Sequence, residues 1–164
     1  MESNADEFCQ QRGLGLSKYA QLQAVQELTQ RYLLEGLQRE DVLTNAANSR
    51  LYVKSKLRGN HREVFLCLFL DSQHRLIAQE ELFQGSIDSA IVYPREVLNR
   101  VFYHKAAAII FAHNHPSGVA EPSETDIAIT RRLKTALDMV DIKTLDHLVV
   151  GDGAVTFMAE RGLL

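Results

Sequence analysis

At 164 residues, 46% apolar and 24% charged, the chain has the length and make-up of one globular domain with a small appendage. Its longest apolar runs, VFLCLFL (64–70) and AAAIIFA (106–112), are far too short to cross a bilayer as a helix, and the acidic, polar start MESNADEF is no secretory signal, so no membrane partner is expected. The net charge of −3 divides into +1 over residues 1–60 and −4 over residues 61–164, an acidic balance that argues against a surface gripping phosphates broadly.

Two cysteines, Cys9 and Cys67, make no disulfide framework and fit a reducing cytoplasm. Cys67 lies inside an apolar run and reads as a small buried hydrophobe. In chain order, Gly13 and Gly15 predict a tight turn, with Ser17 as a cap for the helix that follows. Leu22, Val25, Leu28 and Tyr32 recur along that helix at helical spacing. A second helix is expected from about Asn45 to Leu57, and LRGN (57–60) ends it.

From Glu63 the texture changes. EVFLCLFLD (63–71) is a continuous apolar run, which predicts a strand buried on both faces. The short connection SQH makes RLIAQEELFQG (75–85) its antiparallel neighbour. A third extended piece, SIDSAIVY (86–93), leads to Pro94, which suits the first turn of a helix with Val97, Leu98, Val101 and Phe102 as its core stripe. AAAIIFAH (106–113) is a further buried strand. Ser123 opens a helix to about Met139 with Ile129, Leu133, Ala136 and Val140 inward, and 145–153 with 154–160 predict a last strand pair. Strands alternating with helices give the α/β class with a mixed sheet.

One window carries chemistry: FAHNHPSGVAEPSETDIAIT holds His113, His115, Ser123 and Asp126 in the pattern H-x-H, seven residues, S-x-x-D. Residues i and i+2 of a strand share a face, so both imidazoles can reach one ion. Asp126, in the first turn of the next helix, can return over it. Two imidazoles and a carboxylate can hold zinc with a fourth position open to water, the mark of a catalytic site and of hydrolysis by a metal-bound water. The plainer reading of S-x-x-D is a helix cap. A carboxylate base is also needed, and Glu63, Glu80, Glu81 and Glu96 are the candidates; spacing alone leaves Glu63 level with the Glu80/Glu81 pair. His147 is weighed as a group beside the metal against a satisfied core histidine. Asn114 and Ser117 order the loop or touch substrate, and His61, His74 and His104 read as surface.

H-x-H-x7-S-x2-D resembles the JAMM motif of the JAB1/MPN metalloprotease superfamily. The segments EELFQGSIDSAIVYPREV (80–97), HNHPSG (113–118), EPSETD (121–126), TRRLK (130–134), LDHLVVGDG (145–153) and AERGLL (159–164) are more similar still to the bacterial RadC family. The resemblance runs from about residue 12 to the end. It implies a cytidine-deaminase-like α/β/α sandwich with a mixed sheet, preceded by a small helical segment. It also implies zinc on His113, His115 and Asp126, Glu63 as general base from the strand form E-x-F-x-x-L, and Ser123 hydrogen-bonded to the oxyanion or the metal water.

GLGLSKYAQLQAV (13–25) resembles the second half of a helix-hairpin-helix, whose backbone N–H groups would face a DNA phosphate. RadC chains are longer at the N-terminus, so a short form or a fragment is expected. The division read is 1–44, a helical segment with this partial hairpin, and 45–164, the JAMM/MPN-type RadC domain. The function read is a zinc-dependent hydrolase of JAMM metallopeptidase type acting on a peptide or protein substrate. The alternatives are a DNA-repair-associated nucleic-acid-binding protein and a non-catalytic MPN-like interaction module.

Overall fold

A computed structural model describes residues 5–42, 46–85 and 92–164. Among these residues, five helices and five strands follow one another as α1 (Ala5–Cys9), α2 (Leu16–Arg39), α3 (Ala46–Leu57), β1 (Val64–Leu70), β2 (Leu76–Gln84), α4 (Pro94–His104), β3 (Ala108–Asn114), α5 (Glu124–Asp138), β4 (Lys143–Val150) and β5 (Val155–Phe157). The expected extended piece at 86–93 lies, over residues 86–91, outside the described residues.

The strands form one mixed sheet in the order β2-β1-β3-β4-β5. β1 is antiparallel to β2 and to β3, β3 and β4 are parallel, and β5 returns antiparallel on β4. Side chains of a strand alternate between the two faces of its sheet. Val64, Leu66, Leu68 and Leu70 of β1, with Ala108, Ile110 and Ala112 of β3, pack with Leu33, Leu37, Tyr52, Val53 and Leu57 of α2 and α3. Phe65, Cys67, Phe69, Ile109 and Phe111 pack with Val97, Val101, Leu133 and Leu137 of α4 and α5. Both faces are covered, so the two apolar runs need no polar alternation, and the fold is an α/β/α sandwich.

The helices depart from the expectations in four places. Leu22, Val25, Leu28 and Tyr32 of α2 are 44–74% exposed. The half-buried positions there are Gln23, Gln26 and Gln30, and Gln30 Nε2 donates to the Ser55 carbonyl at 2.8 Å. The apolar contact of α2 begins only at Leu33 and Leu37. Ser17 does not cap this helix: Gly15 is the N-cap residue and Ser17 lies inside the first turn.

On α4, Pro94 stands in the first turn as expected, and Val97 and Val101 are buried. Phe102 is 57% exposed, because a helix turns about 100° per residue and carries it past Val101 toward solvent. His104 is not a surface residue. It is half-buried, its ring packed on Phe69 and its Nε2 2.7 Å from Glu80 Oε1. No described helix is long and apolar enough to cross a membrane.

Candidate metal centre

The face of β3 that carries Ile109 and Phe111 toward α5 carries His113 next, at the strand's last turnings, where it is 1% exposed. His115 follows the strand end, and its backbone N–H donates to the Val150 carbonyl at 2.9 Å, tying the loop back to β4. Gly118 adopts φ +79°, a left-handed turn that an L side chain resists. It lets the chain double back so that the Val119 carbonyl meets His115 Nδ1 at 2.8 Å. A carbonyl only accepts, so Nδ1 carries the proton of neutral His115 and Nε2 keeps its lone pair.

Three ligating atoms converge. His113 Nε2 and His115 Nε2 are 2.9 Å apart, Asp126 Oδ1 is 3.2 Å from the first, and Asp126 Oδ2 is 3.3 Å from the second. Zinc bound at about 2.0–2.1 Å in a tetrahedron separates its ligand atoms by about 3.3 Å. The observed triangle is close to one face of that tetrahedron, so the donor set fits zinc in type and in spacing. Among the described residues these three form the one group able to hold a metal.

Asp126 serves two purposes at once. Its backbone N–H donates to Ser123 Oγ at 3.1 Å, while its Oδ2 accepts from Ser123 N and Ser123 Oγ, each at 2.6 Å. Ser123 is thus the N-cap of α5 in a reciprocal capping box. The cap and the metal cluster are not alternatives, because the cap aims the carboxylate at the histidines.

The electrostatics favour positive charge. Burial opposes ionisation of Asp126, but the adjoining His113 and His115 imidazoles outweigh it and hold the carboxyl well below the usual range. The Asp126 hydrogen bond pulls His115 above its ordinary value against the opposing effect of burial, and the nearby Glu63 charge adds to the rise. Burial drives His147 well below its ordinary value, with the neighbouring His113 adding to the fall.

Glu63 is half-buried just before β1, and its carbonyl accepts from Gly85 N at 2.9 Å. Phe65 pairs with His113 at the end of the antiparallel β1–β3 ladder, and the charge of Glu63, two residues before Phe65, is near enough to His115 to raise its value. The other carboxylates are engaged elsewhere. Glu80 binds Arg100 and His104, Glu81 lies 3.6 Å from Lys56, and Glu96 pairs with Arg95.

Asn114 is a structural strut. Its Oδ1 accepts from Val64 N at 2.9 Å, and its Nδ2 donates to the carbonyls of Asn60 and Arg62 at 3.1 and 3.0 Å. Ser117 Oγ accepts from Val119 N in the turn. His61 is exposed and lines, with Arg58, Asn60, His115, Pro116 and Asp152, a cleft of about 200 Å³ beside the cluster.

Two residues behind the site carry more than the sequence reading allotted them. His147 is fully buried with Nε2 2.8 Å from His113 Nδ1, and Thr130 Oγ1 lies 2.5 Å from His147 Nδ1. The available signal for Thr130 was its place one helical turn after Asp126, a polar residue on the buried side of α5.

Comparison with known proteins identifies the family. The family model described as RadC-like JAB domain matches residues 43–163. A UPF0758 protein of Vibrio vulnificus (strain YJ016) is 60% identical over 161 residues, 97% of this chain and 72% of its own length. A UPF0758 protein of Marinomonas sp. (strain MWYL1) is 57% identical over 164 residues, 100% of this chain and 73% of its own length. One of Vibrio cholerae serotype O1 (strain ATCC 39315 / El Tor Inaba N16961) is 58% identical over 160 residues, 98% and 71% respectively. A match over most of the chain, with relatives this similar, shows that the protein belongs to the RadC-like JAB domain family.

Proposed function

We propose that this protein is a zinc-dependent hydrolase that cleaves a peptide or isopeptide bond. The observation that carries the reading is the triangle of His113 Nε2, His115 Nε2 and an Asp126 carboxylate, spaced 2.9–3.3 Å apart, with one side left free of protein ligands among the described residues. The JAB family includes metalloproteases, which supports the reaction class.

His113, His115 and Asp126 would hold the ion. Zinc bound there supplies a Lewis acid that acidifies water and polarises an acyl oxygen. Glu63, whose charge is felt at His115, takes the proton of the attacking water and delivers it to the leaving nitrogen. Ser123, whose hydroxyl proton rests on Asp126 Oδ2 here, would turn that proton to the carbonyl oxygen as negative charge develops on it. The cleft lined by Asn60, His61 and Asp152 runs up to His115 and would seat the chain on one side of the scissile bond.

The test is metal content by mass spectrometry on protein purified without added metal, with His113→Ala as the control. About one zinc per chain, lost in the variant, is the expected result, followed by a peptide and isopeptide hydrolysis screen. No metal in the wild type and no uptake on adding zinc would overturn the reading and favour the DNA-binding or interaction-module alternatives.

A further inference from the structure

We propose that Thr130 and His147 are positioning residues that fix the tautomer of His113 through a buried hydrogen-bond relay. This rests on the reading of His113 as a metal ligand, and it adds two residues that neither touch the ion nor belong to the H-x-H and S-x-x-D pattern.

The relay follows from donor and acceptor chemistry. Thr130 Oγ1 lies 2.5 Å from the Asp126 carbonyl, one turn back on α5. A carbonyl cannot donate, so the single hydroxyl proton of Thr130 points there. Met158 Sδ, at 3.8 Å, is a weaker and more distant acceptor. Thr130 Oγ1 is then an acceptor toward His147 Nδ1, also 2.5 Å away, and Nδ1 of His147 carries the proton. A neutral imidazole has one N–H, so His147 Nε2 is a lone pair. It lies 2.8 Å from His113 Nδ1, which must donate to it. That leaves His113 Nε2 with its lone pair toward His115 Nε2 and Asp126.

The reversed chain fails at its first link. If Thr130 donated to His147, the Asp126 carbonyl oxygen and the hydroxyl oxygen would face one another at 2.5 Å with no proton between them. The surroundings keep His147 neutral and still. It is fully buried, with the rings of Phe65 and Phe111 set edge-on at 5.3 and 5.8 Å.

The two metal-side nitrogens are therefore prepared by different means. His115 is set directly by the Val119 carbonyl. His113 is set by a path that starts at the backbone of Asp126 itself, so the residue supplying the carboxylate also orients the imidazole beside it. Partners of this kind behind a ligating histidine commonly change metal affinity by about 10–100-fold when removed.

The test begins with the metal-free wild type at a pH where the imidazoles are neutral, using long-range 1H–15N correlation of the histidine rings. The expected spectrum has His113 protonated on Nδ1 and His147 protonated on Nδ1. Thr130→Val keeps the shape and removes the hydroxyl. It should mix the His113 tautomers and weaken zinc binding by about 10–100-fold, and Thr130→Ser should restore both. A purely structural role would lower thermal stability without moving the ring shifts.

His113 protonated on Nε2 in the wild type would overturn the relay, as would unchanged ring shifts and zinc affinity in Thr130→Val. If the wild type takes up no zinc, the metallohydrolase reading fails, and the wild-type and Thr130→Val ring shifts alone then uphold or overturn the relay.

Discussion

Phe65 of β1 and His113 of β3 are direct partners in the antiparallel ladder, and their rings lie nearly parallel, 9° apart in plane with centroids at 6.3 Å. Glu63 lies two residues before Phe65 and His115 two residues after His113, each just outside its strand. The base candidate and the second imidazole thus flank one ladder pair and interact through charge, although 52 positions separate them in the chain.

Glu63→Gln should keep zinc and lose hydrolysis. The amide preserves volume and removes only the capacity to take a proton, so turnover should fall by about 10²–10⁴-fold while metal content stays near that of the wild type. Parallel metal analysis and turnover on whichever peptide the screen identifies would check this. Wild-type turnover in Glu63→Gln would move the base elsewhere, and since Glu80 is held by Arg100 and His104, Glu81 would be examined next.

The ligand cluster was legible in the sequence because its members lie within 14 positions, on a strand end and a helix start whose geometries are regular. The supporting residues were legible only in part. His147 could be read as a group beside the metal or as a core histidine, and spacing could not choose, because it reaches His113 through the parallel pairing of β3 with β4. The face of α2 was misread for a related reason. Leu22, Val25, Leu28 and Tyr32 have a helical period, but which face of a helix is buried depends on its neighbour, and α3 meets the glutamine side through Gln30 and Ser55. Phe102 shows the same limit within a stripe otherwise read correctly.

Asn114→Ala should loosen the approach to Glu63. Three hydrogen bonds go, and the Val64 N–H beside them loses its acceptor in a buried place. The expected cost is about 3 kcal/mol of stability, visible in denaturant unfolding as a shifted midpoint with unchanged slope. Turnover should fall more than zinc affinity, because the segment released carries Glu63 rather than a ligand. An unaltered midpoint would show that these bonds are replaced by water at no cost.

Gly151→Ala should damage the metal centre from outside it. A Cβ there would collide with the Gly118 carbonyl oxygen and come within 2.8 Å of Ala120 N. Both neighbours are backbone, so the loop itself must shift, and with it the Val119 carbonyl that orients His115. Zinc affinity should drop by about tenfold or more, as when a partner of a ligating imidazole is lost. Competition with a chromophoric chelator would measure it, and unchanged affinity would show that the loop yields without moving His115.

Ser123 separates capping from chemistry. Ser123→Ala removes the cap and should cost about 1 kcal/mol, a fall of about 2–4 °C in Tm for a domain this size. Ser123→Asp restores an N-cap acceptor but cannot donate a hydrogen bond while ionised. It should therefore recover stability in calorimetry and not recover turnover. Recovery of turnover in Ser123→Asp would make the serine a cap and nothing more.

The stability that zinc confers should shrink as pH falls, and the sign follows from His115. Its value is raised by Asp126 in the metal-free fold. The resulting ion pair contributes stability that is fully present below the unfolded value of about 6.5 and is lost as pH rises through the raised folded value. In a zinc-loaded protein the metal would occupy the same nitrogen and that proton would have to leave. Burial keeps His147 neutral in both states. Below the raised value of His115, at least one proton is displaced on binding, so the zinc increment should diminish by about 1.4 kcal/mol or more per pH unit. Thermal unfolding with excess chelator and with zinc, at pH 8, 7 and 6, would show the two curves converging toward acid. A constant separation would mean that zinc and the His115 proton do not compete, and so that His115 is not a ligand.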